Sequence, residues 1–195
     1  MKFCSTCGSP SISWRVPSDD NRPRHICEDC GEIFYQNPKI VAGAIPIWED
    51  QILMCKRSIE PRYGYWTIPA GFMENGETTV EAAARETWEE ATAKVEIENL
   101  YTIFNLPTVH QVYMIFLAHL TEPEFAAGPE SLEVKLCSEA EIPWDDIAFP
   151  TITHSLEYYF ADRKTGDFPL YVQDIVREGS RAVLHDRRPF TPEFN

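Results

Sequence analysis

The rhythm of hydrophobic and polar positions changes several times along the chain. KIVAGAIPIW (39–48) is an almost unbroken apolar run, Glu49-Asp50 supplies a turn, and QILMCKR (51–57) resumes the run, which predicts a β-hairpin. Cys55 within the second run reads as a small buried apolar residue. Residues 61–64 read as a loop and YWTIPAGF as a short strand ending in a turn. From residue 78 to about 92 the spacing becomes helical. At ~100° per residue, Val80, Ala83, Ala84, Thr87 and Ala91 fall on one stripe that predicts the buried face, and Thr78-x-x-Glu81 forms a capping box. Strands are expected again over 94–104, 111–120 and 132–138, with FAAGPES as a loop between the last two. ITHSLEYYFADRK (152–164) returns to helical spacing and stops at Gly166; FPLYVQDIV adds a strand, and the closing HDRRPFTPEFN is irregular. No internal repeat or low-complexity tract interrupts this order.

The helix over 78–92 carries RETWEE, which gathers Glu86, Glu89 and Glu90 although like charges three and four residues apart repel. Glu86 and Glu90 lie within about 40° of each other beside the predicted buried stripe, and Glu89 stands roughly 60° further round. Arg85 lies near Glu81 and Glu89 and within reach of Glu77 in the preceding loop. Two readings follow: a solvated charged face, or a site for Mg²⁺ or Mn²⁺, which favour carboxylate and water oxygens.

Residues 1–36 have a different character. Cys4-Ser-Thr-Cys7-Gly8 and Cys27-Glu-Asp-Cys30-Gly31 are two CxxC pairs 19 residues apart, the spacing of a two-knuckle zinc ribbon. Each pair sets two thiolates on one turn, and four thiolates complete a closed, structural Zn²⁺ shell, with a redox pair or a chance pattern as the alternative readings. So short a segment needs metal to fold. His25 is surplus to that shell and is expected to pack or face solvent.

Length, 195 residues, and 44% hydrophobic content fit a medium globular domain with a small accessory module. No run of about 18 apolar residues exists, so no membrane partner is expected. The start, MKFCSTCGSP, lacks a secretory signal, which with the CxxC pairs leads to an expectation of a cytoplasmic protein. The net charge of −14 argues against nucleic acid as a partner, although a phosphorylated small molecule can bind where divalent cations intervene.

GFMENGETTVEAAARETWEE (71–90) resembles the signature box of the Nudix hydrolases: G, five residues, E, seven residues, then REUxEExGU with U aliphatic. WTIPAG resembles the strand before that box, and the likeness covers roughly residues 39–150, SEAEIP included. With a ribbon joined through YQNPK, the chain resembles the zinc-ribbon Nudix enzymes, more closely the plant-type FAD and ADP-ribose pyrophosphatases than those acting on NADH. Thr87 stands where an aliphatic residue is usual, and Thr92 replaces a glycine. A β-branched residue resists the left-handed conformation, so a different helix ending is expected there. NADH pyrophosphatases carry a SQPWPFPxS-like motif after the box, and this chain has YTIFNLPTVHQVYMIF instead.

The resemblance implies an α+β protein with the Nudix fold, a mixed β-sheet sandwiched between helices, divided into a ribbon (1–36), a Nudix domain (37–165) and a C-terminal extension (166–195). It implies hydrolysis of FAD or ADP-ribose to AMP and a phosphorylated product. The alternatives are an NADH pyrophosphatase or a non-catalytic nucleotide-sensing Nudix protein. Glu86 and Glu90, supported by Glu89 and a carbonyl near Ala70, would hold Mg²⁺ or Mn²⁺, with Glu77 and Arg85 as the pair tying loop to helix. The general base is assigned to Glu130 or Glu133; Arg57 and Arg62 are candidates for phosphate, and Tyr65 and Phe72, with Tyr63 and Phe104, for stacking on a base. Ordinary surface or core roles stand beside each of these readings. A homodimer is expected, with the ribbon bracing the domain or the dimer.

Overall fold

A computed structural model describes residues 1–179 and 181–185. Residues 1–37 form one compact unit, and a second begins at Pro38. In the first, β1 (Ile12–Arg15), β2 (Arg24–Cys27) and β3 (Ile33–Phe34) make an antiparallel sheet in that order. Gly8 and Gly31 each adopt φ 77°, and their amides bond back to the Cys4 and Cys27 carbonyls at 2.9 Å. Glycine adopts this left-handed turn without strain, which closes each CxxC into a knuckle. The His25 ring packs 4.5 Å from that of Trp14.

The second unit comprises β4 (Lys39–Trp48), β5 (Gln51–Arg57), β6 (Trp66–Thr67), β7 (Ala70–Phe72), α1 (Thr79–Ala91), β8 (Val95–Leu106), β9 (Gln111–Leu120), β10 (Ser131–Cys137), α2 (Pro150–Asp162), β11 (Tyr171–Glu178) and β12 (Arg181–His185). Among the described residues nine strands join in one mixed sheet, ordered β10-β5-β4-β9-β8-β11-β12, with β6 paired to β5 and β7 to β4. β4 runs parallel to β9 and β8 parallel to β11; the other pairs are antiparallel. The irregular tail read from HDRRPFTPEFN lies, from residue 186 onward, outside the described residues.

Alternation of side chains along the central strands builds two cores on opposite faces of the sheet. Ile45, Ile47, Ile52, Met54, Ile115 and Leu117 join Ile152, Leu156, Tyr159 and Phe160 of α2. Ala42 and Phe116 pack on Ala82 and Ala83 of α1, and Leu53, Cys55 and Leu120 on Ala91. The sheet is thus sandwiched between two helices, as the resemblance implied. Beyond Gly166 the chain returns to this body. The Tyr101 and Tyr171 hydroxyls both donate to Asp162, at 2.7 and 3.0 Å, pinning β8 and β11 to the end of α2.

Two local expectations about α1 are corrected. Its buried face is rotated from the predicted stripe: Val80 is exposed and Ala84 half-buried, whereas Ala82, Ala83, Glu86, Thr87, Glu90 and Ala91 are buried. The helix packs against β7 as well as β4, and this draws two carboxylates into the covered side. The helix also ends in a left-handed turn despite lacking glycine, since Thr92 takes φ 49° and ψ 30°. That conformation costs a non-glycine residue roughly 1–2 kcal/mol. It is offset by the Thr92 amide donating to the Trp88 carbonyl at 2.8 Å and the Thr92 hydroxyl to the Ala126 carbonyl at 3.0 Å. The other end follows expectation: Thr78 and Glu81 cap each other reciprocally.

Candidate active site

The repulsion among the α1 carboxylates is relieved first by one guanidinium. Arg85 donates to Glu77 twice (2.9 and 2.8 Å), to Glu86 at 2.8 Å, to Glu89 at 2.8 Å and to the Phe72 carbonyl at 3.1 Å. Glu81, also near Arg85 in sequence, is instead occupied by the cap. Glu77 further accepts from the Glu74 amide at 2.6 Å. Arg85 and that amide hold the Glu77 carboxyl well below the usual range, at about 2.

Glu90 is outside this network. It is 6% exposed, and its Oε2 is buried without a hydrogen-bond partner. Burial, and then the charges of Glu86 and Glu130, push its pKa up to about 8 against the opposing Arg57 charge and the Ala70 amide. Burial likewise raises Glu86. A buried carboxylate oxygen without a partner is costly, and proteins normally satisfy such groups. Beside it, a Cβ on Gly71 would come within 2.3 Å of the Glu86 carboxylate, so the backbone here leaves space that the carboxylate fills. An orphaned buried oxygen beside a second carboxylate suits a hard divalent cation. Among the described residues only the cysteines gather three or more ligand atoms within 4.8 Å, so the α1 carboxylates do not form a closed cage. An open set of this kind leaves part of a divalent cation's shell to water.

These residues line a cavity of about 880 Å³. Ala70, Phe72, Arg85, Glu86, Glu89, Glu90, Arg57 and Glu130 all reach its wall. Phe72 is exposed there with the Lys39 ammonium 4.7 Å from its ring centre, and Arg57 lies 5.1 Å from the Phe149 ring while donating to the Pro61 carbonyl at 3.0 Å. The cavity wall does not include Glu77, Glu133, Arg62, Tyr63 or Tyr65. Glu133 is exposed on β10, and Arg62 sits 5.2 Å over the Tyr65 ring. Phe104 is fully buried and offers no free face for stacking, so of its two readings the core role holds. Trp66 is core.

Sequence reasoning passed over Val41, Trp88, Gln111, Tyr113, Phe149 and Ile152 in the same wall. Trp88 apart, no local motif marks them. Val41 and Tyr113 meet because β4 and β9 pair in parallel register, and Gln111 follows by the two-residue period. Trp88, half exposed on α1, was legible as an apolar side chain next to two glutamates.

In the first unit, Sγ–Sγ separations are 3.7 Å for Cys4–Cys30 and 3.6 Å for Cys7–Cys27, and all four sulfurs lie within 4.8 Å of one another. Four free thiols at this spacing match a tetrahedral sulfur shell for zinc.

Known proteins agree with this architecture. The family model described as NUDIX domain matches residues 37–159, and the zinc-ribbon model described as Nudix N-terminal matches residues 2–36. The chain belongs to the Nudix hydrolase family. A NUDIX hydrolase from Nitrosomonas europaea of known crystal structure superposes with TM-score 0.85 at 52% identity, over 89% of this chain and 99% of that one. The NAD-capped RNA hydrolase NudC of Chromobacterium violaceum is 32% identical over 175 residues, covering 83% of this chain and 59% of NudC. NudC of Edwardsiella ictaluri is 31% identical over 133 residues, covering 68% of this chain and 49% of NudC. The chain therefore spans about half the length of these curated relatives. An ADP-ribose pyrophosphatase from Streptococcus suis shares the Nudix fold, at TM-score 0.55 and 20% identity over 70% of this chain and 99% of that one. No described helix is long and apolar enough to cross a membrane.

Proposed function

We propose that this Nudix protein hydrolyses the diphosphate bridge of a nucleoside diphosphate derivative, FAD or ADP-ribose foremost, to AMP and a phosphorylated product. The observation that carries the reading is the buried, unpartnered Glu90 oxygen beside Glu86 at the wall of a cavity large enough for such a ligand. Glu86 and Glu90, with Glu89 and the Ala70 backbone at their side, are the residues to hold Mg²⁺ or Mn²⁺. Bound there, the ion supplies charge neutralisation for the bridge oxygens and acidifies water.

The chain's own groups do the rest. Arg57, placed by the Pro61 carbonyl and the Phe149 ring, meets a phosphate oxygen. Phe72 offers an exposed ring face to a base or isoalloxazine. Glu130, in the cavity wall where Glu133 is not, takes the proton of the attacking water. Attack at one phosphorus breaks the P–O–P bridge, and the leaving phosphate carries the electron pair away. Arg62 and Tyr65 are better read as a stacked surface pair. The ribbon and its Zn²⁺ act as a structural brace, and a homodimer follows from the family resemblance alone. Free thiols set for metal suit a reducing, cytoplasmic setting.

The NudC relatives favour a second reading, an NAD(H) bridge free or on RNA. The −14 charge and the absence of a SQPWPFPxS-like motif weigh against it. Incubation with Mn²⁺ and, separately, FAD, ADP-ribose, NADH and NAD-capped RNA, with products resolved, decides between the two. Release of AMP from FAD or ADP-ribose is expected; no turnover of any of the four refutes hydrolysis, and preference for NADH or capped RNA selects the second reading.

A further inference from the structure

The segment after Phe125 lies across the C-terminal end of α1. The Ala126 amide donates to the Ala91 carbonyl at 2.9 Å and the Gly128 amide to the Glu90 carbonyl at 3.0 Å. A Cβ on Gly128 would fall 1.7 Å from the Glu89 carbonyl oxygen, so this seat requires glycine. The far end of the strap is fastened too: the Ser58 amide donates to the Glu130 carbonyl at 2.9 Å, and the Ser58 hydroxyl to the Pro129 carbonyl at 3.0 Å. The strap therefore hangs between the end of α1 and the residue after Arg57, and it presents Glu130 to the cavity.

The Thr92 hydroxyl, bonded at 3.0 Å to the Ala126 carbonyl, adds a side-chain tie across 34 residues of sequence. A glycine at 92 would form the left-handed turn more easily but would lack this bond. We propose that Thr92 is a positioning residue, whose hydroxyl latches the 126–130 strap to α1 and so sets Glu130 against Glu86 and Glu90. This rests on the role given to Glu130 above.

Thr92→Gly separates the hydroxyl from the backbone turn, because glycine keeps the turn. The measurements are hydrogen exchange at the Ala126 and Gly128 amides of the whole protein, its thermal midpoint, and kcat and KM for ADP-ribose with Mn²⁺. One net hydrogen bond shifts a local equilibrium roughly three- to tenfold, so exchange should quicken and kcat fall by about that factor, with KM within about twofold. Thr92→Ser should restore both. In a Glu130→Gln background, Thr92→Gly should lower kcat no further, because it acts through Glu130. Unchanged exchange in a folded Thr92→Gly protein overturns the latch. Quickened exchange with unaltered kcat, or a full loss added to that of Glu130→Gln, overturns the positioning role. A wild-type protein inactive on every nucleoside diphosphate derivative refutes the proposed activity and with it the positioning role, while the exchange result still decides the latch.

Discussion

Arg85 grips Glu77 with two parallel hydrogen bonds, Nε to Oε2 at 2.9 Å and Nη2 to Oε1 at 2.8 Å. This fork fastens the loop before α1 to the helix and also supplies the cation that two of the three clustered glutamates share. The Glu77 carboxyl is held at about 2, below its ordinary 4.5. A carboxylate depressed on folding contributes stability that is fully present above its unfolded pKa and lost as pH falls through the folded one. The difference in thermal midpoint between wild type and Glu77→Gln should therefore be largest above about pH 5 and close towards about pH 2. A difference that stays constant across that window would show that Glu77 acts through something other than its charge.

Glu90 presents the opposite case, a carboxylate that the apo fold tolerates but does not satisfy. Glu90→Gln keeps the shape and replaces a carboxyl that burial already holds largely protonated below about pH 8, so the metal-free protein should be as stable as wild type, and more so above that pH, where only wild type must bury a charge. Added Mn²⁺ should raise the thermal midpoint of wild type and leave that of the variant nearly unmoved. Outer partners of metal ligands are worth about 10–100-fold, so losing a direct ligand should lower turnover by at least about a hundredfold. Calorimetry with and without Mn²⁺, beside a turnover assay, tests all three expectations. Full activity in Glu90→Gln would remove the basis for the metal site.

Gly71 gives an independent test of the same corner. The three atoms nearest to a methyl group there all belong to the far end of the Glu86 side chain, at 2.3–2.4 Å. Glu86 can swing away, so Gly71→Ala should fold with little loss of stability but with the carboxylate displaced. Misplacement of a catalytic group by about 1 Å can cost on the order of a hundredfold in rate. Turnover should fall by about that much, with a weaker Mn²⁺ midpoint shift. Normal kinetics in Gly71→Ala would mean that the position of Glu86 is not critical.

Much of this corner was legible in the chain, for reasons that show where legibility ends. The capping box, the core strands and the CxxC-Gly knuckles are local patterns whose partners lie within a few residues, and each folds as its spacing suggests. The box from Gly71 to Glu90 is local in the same sense. The rotated face of α1 was not legible, because a helical wheel shows which residues share a side but not that β7 will cover Glu86 and Glu90. Thr92 was misjudged for a related reason: its intrinsic reluctance was correct, but the compensating Ala126 carbonyl comes from a distant segment. Tyr113 and Phe149 reach the cavity only through sheet register and the entry to α2, which no single-strand pattern encodes.

The ribbon yields the last prediction. Burial opposes ionisation of Cys4, yet the Cys7 and Thr6 amides and the neighbouring thiols bring it down to about 6. At Cys30 the Glu32 amide favours the thiolate, but Cys7, burial and the other thiols push the pKa up to about 12. Four sulfurs this close cannot all ionise unless a cation sits among them, and the short strands of residues 1–37 have little core of their own. Purified protein should therefore contain one zinc per chain by metal analysis. Chelation, or Cys27→Ala, should melt the signals of residues 1–37 in an NMR or exchange experiment. Because a second compact unit begins at Pro38, its thermal transition should persist, at a midpoint lowered by loss of the brace, with kcat changed by less than about threefold. Loss of the second unit's cooperative transition on chelation would instead show that the ribbon is part of the fold that holds the carboxylates.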